Sequence, residues 1–176
     1  TLGGTGGDAG GLALVPNFYY AHPVSKELAL GIGMNAPFGL KTEYDQSWMG
    51  RFQAVKSEVK TINLNPSLSY KVNDRTILGV GLNGQYIEAT LTNMVNYSAL
   101  AAGALGANLE GLAEVEGDDY GWGYNLGALF DLGNTRIGLS YRSEIDYTLE
   151  GSVNFADVPA AMAGNALLQT GPVTAD

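Results

Sequence analysis

The chain is 176 residues long, carries a formal charge of −9, and holds 25 glycines, 10 tyrosines and no cysteine. That length suits one domain. The lack of cysteine excludes a disulfide scaffold and a thiolate metal centre, and the acidic balance argues against nucleic acid as a partner. No run approaches the ~20 apolar residues of a membrane helix. Membrane-crossing β-strands escape that test, because half of their residues face away from lipid. The chain begins at Thr1 without an initiator Met or a signal peptide, and reads as an internal piece of something longer.

The first alternating segment lies near 12–21, with Leu12, Leu14, Pro16, Phe18 and Tyr20 on one face. The second, near 28–38, sets Leu28, Leu30, Ile32, Met34, Ala36 and Phe38 against Gly31, Gly33 and Asn35. Successive side chains of a strand point to opposite faces, so each has one apolar and one small or polar wall. The second segment ends in Asn35-Ala36-Pro37-Phe38-Gly39. Pro37 cannot donate to a ladder. A kink there would break hydrogen bonding between neighbouring strands and open the wall. The loop from Leu40 to Val55 carries Trp48, Met49, Phe52 and Val55 amid polar residues. That apolar surface suggests a landing site for a hydrophobic ligand, with packing onto a neighbouring loop as the plain alternative.

The third segment, near 58–71, contains the cleanest alternation: Ile62, Leu64, Pro66, Leu68 and Tyr70 against Asn63, Asn65, Ser67, Ser69 and Lys71. Pro66 within it predicts a bulge. The fourth, near 77–90, sets Leu78, Val80, Leu82 and Tyr86 against Gly79, Gly81, Asn83, Gln85 and Glu88. A long connection follows. In it Leu105, Leu109 and Leu112 fall at the spacing of one helix face, which predicts a short amphipathic helix over about 97–113. Its apolar face is expected to pack on the first loop and to line the same groove, with Met94, Leu100, Leu105 and Leu109 as further ligand contacts. Glu110, Glu114, Glu116, Asp118 and Asp119 form an acidic cluster. It reads either as oxygen ligands for a divalent cation bridging lipopolysaccharide phosphates or as a solvated loop. No metal site is assigned.

The fifth and sixth segments, near 119–131 and 135–150, form a hairpin. Tyr120, Trp122, Tyr124, Leu126, Ala128 and Phe130 share one face, as do Ile137, Leu139, Tyr141, Ile145, Tyr147 and Leu149. Strands of ~13–15 residues exceed the ~5–6 usual in soluble sheets. The short turns 22–26, 73–75 and 132–134 alternate with long connections, the asymmetry of outer-membrane barrels. The expected fold is therefore all-β, part of an antiparallel transmembrane β-barrel, with a short helix in a long outer loop. A water-soluble sandwich is the alternative. Asn63, Asn65, Asn83, Gln85, Glu88, Arg136, Arg142 and Glu144 are expected to line the lumen, with Arg142 paired to Glu144.

Nothing builds an active site. His22 is the only histidine and precedes a proline in a short turn, which leaves a His-based triad or metal centre without support. No enzyme activity and no cofactor are expected.

VPNFYYAHPV, NAPFGLKTEYD, INLNPSLSYKVNDRTILGVGLN and GDDYGWGYNLGALFDLGNTRIGLSYRSEIDYTLEG resemble, in order and spacing, the FadL/TodX family of outer-membrane hydrophobic-substrate channels. The resemblance covers most of residues 12–151. It implies a fourteen-stranded barrel plugged by an N-terminal hatch. This chain would hold about six strands as a single partial domain, without the hatch and the C-terminal strands. It also implies uptake of long-chain fatty acids or other hydrophobic molecules across a bacterial outer membrane. Lipid bilayer and lipopolysaccharide would be partners, and detergent a possible companion of the purified protein. Ligand would lodge between two outer loops, pass to a pocket in the barrel, and leave sideways at a kinked strand. That kink maps onto Asn35, Pro37, Phe38 and Gly39. The family's basic residue on the strand matching 78–90 has no counterpart here, where Glu88 stands instead. Neutral hydrocarbons or monoaromatics are therefore an alternative cargo, and a non-transporting adhesive or structural barrel is a second alternative.

Overall fold

The computed structural model describes residues 3–101, 103 and 109–175. Among the described residues, nine strands form one antiparallel sheet: β1 (Asn17–Pro23), β2 (Leu28–Asn35), β3 (Gly39–Glu43), β4 (Lys56–Asn73), β5 (Thr76–Asn96), β6 (Glu110–Asp131), β7 (Arg136–Arg142), β8 (Leu149–Phe155) and β9 (Gly171–Ala175). The main path runs β1-β2-β4-β5-β6-β8-β9. β3 joins β4 beyond the end of β2, and β7 joins β6 beyond the end of β8. The sheet is an open wall: a partial barrel that does not close.

The register assigns the faces. Ile62, Tyr86 and Tyr120 lie abreast, as do Tyr70, Leu78 and Ala128. Leu30, Ile32, Leu64, Leu68, Val80, Leu82, Trp122, Leu126, Leu139 and Tyr141 join them on one exposed apolar face. The opposite face carries Gly31, Gly33, Asn63, Asn65, Gly79, Gly81, Asn83, Gln85, Gly121, Gly123 and Asn125. Buried hydrophobic residues among those described are few: Val55, Tyr97, Ala113, Met162 and Leu168. A water-soluble sandwich buries its large apolar side chains. Here they are turned outward, the arrangement that lipid rather than water stabilises.

The apolar band has a rim. Thr76 to Tyr86 is eleven residues, the ~9–11 that a tilted strand needs to cross a bilayer. At Tyr86 and Tyr120 the rings pack 4.9 Å apart. Beyond this pair the same face turns charged, with Glu58, Lys60, Glu88, Glu116 and Asp118. β4, β5 and β6 therefore extend past the expected ends of their segments, and β5 and β6 pair as far as Asn96 and Glu110.

Several expected boundaries change. The first strand begins at Asn17 rather than near 12, so Leu12 and Leu14 are exposed outside the ladder. The strand in the segment near 28–38 stops at Asn35, with a separate strand beginning at Gly39, and the segment near 135–150 is split between β7 and the start of β8. Of the helix over 97–113, Tyr97–Leu100 is helical among the described residues, capped by the Asn96 side-chain oxygen accepting from the Ala99 N–H. Residues 110–113 belong to β6, because the ladder continues from Met94 opposite Leu112. Leu105 lies outside the described residues. Pro66 makes no bulge: the β4–β5 register is the same on both sides of it. The Asn65 amide donates to the Leu82 carbonyl at 2.7 Å, a side-chain donor beside a proline that has no N–H to give.

Candidate functional site

Two interruptions of the wall and one polar row between them organise the site. The first interruption separates β2 from β3. Both strands pair with β4, but Ala36 and Pro37 pair with nothing in the ladder. Thr61 bridges the gap with its side chain. The Phe38 N–H donates to Thr61 Oγ1 at 2.8 Å, and that hydroxyl donates to the Phe38 carbonyl at 2.8 Å. A cavity of 580 Å³ lies here, lined among others by Leu12, Pro16, Ala36, Phe38, Leu40 and Ile62. The break thus brings Asn35, Pro37, Phe38 and Gly39 together beside β4, and Asn35, Phe38 and Gly39 reach the cavity.

The second interruption lies in 143–148, between β7 and β8. Arg142 is opposite Asn125 and Glu150 is opposite Asp118, so residues 143–149 span one more residue than the facing 119–124. The surplus folds inward. The segment is fastened at one end by the Ser143 hydroxyl, which accepts from the Tyr124 N–H at 2.9 Å. At the other end the Asp119 carboxylate accepts from Thr148 N–H at 2.7 Å. Ile145 sits over both Gly121 and Gly123 on the inner wall and Tyr147 over Gly121, where a Cβ on the glycine would meet them. They were expected on the apolar outer face. The inserted residue reverses their direction.

Between the interruptions the inner wall is a network of amides. Asn63 donates to Asn35 Oδ1 and to Asn83 Oδ1, each at 3.2 Å. Asn65 donates to Asn125 Oδ1 at 2.7 Å and to Asn83 Oδ1 at 3.1 Å. Asn83 donates to Asn125 Oδ1 at 3.1 Å. Asn63 and Asn83 are 1% and 0% exposed. Alternation placed Asn83 and Gln85 on this wall, and the register sets them there; Arg142 lies opposite Asn125 on the same side. Glu88 is a correction. It lies abreast of Lys60 and Asp118 on the face of Tyr86, outside the lumen and above the apolar band. Its even spacing from Tyr86 in the sequence already carried that information. Arg142 and Glu144 form no ion pair among those of the described residues.

Among the described residues the outer loops are held together by side-chain pairing. Arg51 grips Glu110 with two bonds of 2.8 and 2.7 Å and lies 4.4 Å over the Phe52 ring. The hydrogen bond from Arg51 holds the Glu110 carboxyl below its ordinary range, and Arg51 is raised in return. That contact removes Glu110 from the acidic cluster. Trp48 stacks on Tyr44 at 4.2 Å and donates through Nε1 to the Ala54 carbonyl at 2.8 Å. Val55 is buried. Trp48 and Val55 thus pack the loop, while Met49, Phe52, Leu100 and Leu109 remain exposed. Met94 is partly buried in β5. Tyr97, Met162 and Leu168 form a small core under the outer connections, and the Tyr97 hydroxyl donates to the Ala156 carbonyl at 2.8 Å. The apolar residues after Ser152 follow no period of two, so alternation does not mark them.

The sequence profile of the family described as "Outer membrane protein transport protein (OMPP1/FadL/TodX)" matches residues 2–175. Outer membrane protein P1 of Haemophilus influenzae is 32% identical over 167 residues, covering 82% of this chain and 35% of that protein. The long-chain fatty acid transport protein of Escherichia coli O6:H1 is 29% identical over 154 residues, covering 79% of this chain and 34% of that protein. This chain thus spans about a third of the length of these curated relatives. The crystal structure of a Pseudomonas aeruginosa FadL homologue superposes with a TM-score of 0.79 at 30% identity, covering 88% of this chain and 37% of that one. The Pseudomonas putida toluene transporter TodX superposes at 0.62 with 18% identity, covering 91% and 45%, and shows the shared fold.

Proposed function

The chain belongs to the OMPP1/FadL/TodX family of outer-membrane transport proteins, and from that premise we propose that it forms part of a passive channel for long-chain fatty acids or similar hydrophobic molecules. The observation that carries this reading is the break between β2 and β3, where an apolar cavity of 580 Å³ adjoins a gap in the ladder. In this reading Met49, Phe52, Leu100 and Leu109 offer the first apolar contacts at the outer end. Cargo then descends the inner wall and leaves sideways past Ala36, Pro37 and Phe38 into the bilayer that bathes the apolar face. Burial of ~0.8 kcal/mol per methylene drives capture, and no chemistry is performed.

A second cargo class has support of its own. No Lys or Arg stands on β5, which favours neutral hydrocarbons or monoaromatics over anions. The test is binding to the full-length protein in detergent across saturated fatty acids of rising length, with toluene and a long alkane alongside. Affinity should rise about fourfold per methylene, the equivalent of ~0.8 kcal/mol. Tighter binding of the hydrocarbons would favour the second cargo class. No binding of any of them would sink the transport reading.

A further inference from the structure

The polar row at the level of the strand break contains two buried polar atoms that make no hydrogen bond of good geometry. Among the described residues, the buried side-chain atoms without a hydrogen-bond partner are Asn63 Oδ1 and Tyr147 Oη. They belong to one level of the wall. Asn63 is opposite Asn35 on one side and Gln85 on the other, and Gln85 is opposite Gly121. Tyr147 lies over Gly121, opposite Gln85; the Gln85 amide is near its hydroxyl without closing a well-formed hydrogen bond. The row therefore reads Asn35, Asn63, Gln85, Tyr147, running from the break at Ala36–Pro37 to the inward fold of 143–148.

A buried polar atom left unpaired is costly, and native structures keep few of them. Both stand in one row beside the break, where an incoming polar group would reach them. Their chemistry is complementary: the Asn63 carbonyl can only accept, and the Tyr147 hydroxyl can donate. Neither is charged. Arg142 stands level with Asn125, four residues further along the wall, ~13 Å away at strand spacing.

We propose that Asn63, Gln85 and Tyr147 form a subsite for an uncharged, hydroxyl-bearing head group, such as that of a fatty alcohol or a protonated fatty acid. It would hold the head while the tail enters the break. The head's O–H donates to Asn63 Oδ1, and the Tyr147 hydroxyl donates to a head-group oxygen. The inward fold exists on this account to carry Tyr147 across to the inner wall, and Gly121 and Gly123 are small to admit it. This inference rests on the transport reading above and names the cargo that reading would prefer.

The experiment is displacement of a fluorescent fatty-acid analogue from the full-length protein in detergent, with oleyl alcohol and 1-octadecene as competitors. The tails match in length; the alcohol adds the hydroxyl and carries its double bond at mid-chain rather than at the end, so the readout is the change in their ratio on substitution. The native protein should bind the alcohol about tenfold more tightly than the alkene, beyond what water solubility alone accounts for. Tyr147→Phe removes one oxygen and keeps the ring over Gly121. It should cost the alcohol about five- to tenfold and leave the alkene unchanged. Asn63→Leu should do the same if it folds. An alcohol-to-alkene ratio that Tyr147→Phe does not move overturns the subsite and leaves transport standing. Failure of both competitors and of the analogue to bind overturns both.

Discussion

Alanine at Gly121 is the sharpest probe of the inward fold. A Cβ at this position overlaps Ile145 Cγ2 and comes within 2.7 Å of Tyr147 Cε1 and 3.0 Å of the Asp146 carbonyl oxygen. Ordinary carbon contacts lie near 3.5–4.0 Å. One methyl therefore has no room unless 143–148 lifts from the wall. Over-packing of this kind costs about 1–3 kcal/mol. Fastening by Ser143 and Asp119 opposes the lift, which argues for the upper half of that range. Ile145→Ala opens the same space. Because Ile145 is only partly buried, that change alone should cost about 1 kcal/mol, less than truncation in a closed core. The double variant should be more stable than the sum of the two predicts, by about 1–2 kcal/mol of coupling. The assay is reversible urea unfolding of the full-length protein in lipid vesicles, with hydrogen exchange at Thr148 as the local readout. Gly121→Ala within about 0.5 kcal/mol of native, with strict additivity, would refute the inward packing of Ile145.

Two further outcomes follow from the faces and from the loop pairing. Leu82→Arg sets a cation on the apolar face near the middle of the band and should destabilise folding into vesicles by about 2–4 kcal/mol. Trp122→Arg, near the Tyr86–Tyr120 rim, should cost about 1 kcal/mol or less; equal costs would contradict the placement of the band. The Glu110 carboxyl is lowered by its bond to Arg51, so its stabilisation is full above the unfolded carboxylate value and is lost as pH falls through the lowered folded one. Hydrogen exchange at Met94, whose N–H donates to the Arg51 carbonyl, should therefore accelerate at acid pH. Glu110→Gln should be fast at all pH values, and an unchanged acid dependence in that variant would assign the effect elsewhere.

Alternation made β4 and β5 legible because one face meets lipid and the other meets amides, so the period of two is written in side-chain polarity. It stopped at Tyr86 and Tyr120 because above the rim both faces are wet, and Glu58, Lys60 and Glu88 no longer contrast with their neighbours. At the end of the expected helix over 97–113, residues 110–113 continue the ladder for the same reason. Leu112, at helical spacing from Leu109, also fits a ladder when the outer end of a strand has no apolar face to declare. Pro37 marked the first break, since a missing N–H shows in the sequence. The second break has no proline. Its sign was the pair Gly121 and Gly123 opposite a segment with one residue too many, and a surplus residue cannot be read before the register is known. The Arg51–Glu110 pair joins residues far apart in the chain, and no local pattern announces it.

The central claim is that hydrophobic cargo passes sideways through the break at Ala36–Phe38, and blocking it tests that claim most directly. A cysteine placed at Ala36, which lines the cavity, would be modified with maleimides of increasing bulk in the full-length protein. Uptake of labelled oleate by cells would be followed, with Leu132→Cys in the opposite turn as control. The account predicts that uptake falls as the adduct at position 36 grows, while the adduct at 132 is silent. Undiminished uptake through a completely modified, bulky adduct at 36 would contradict it.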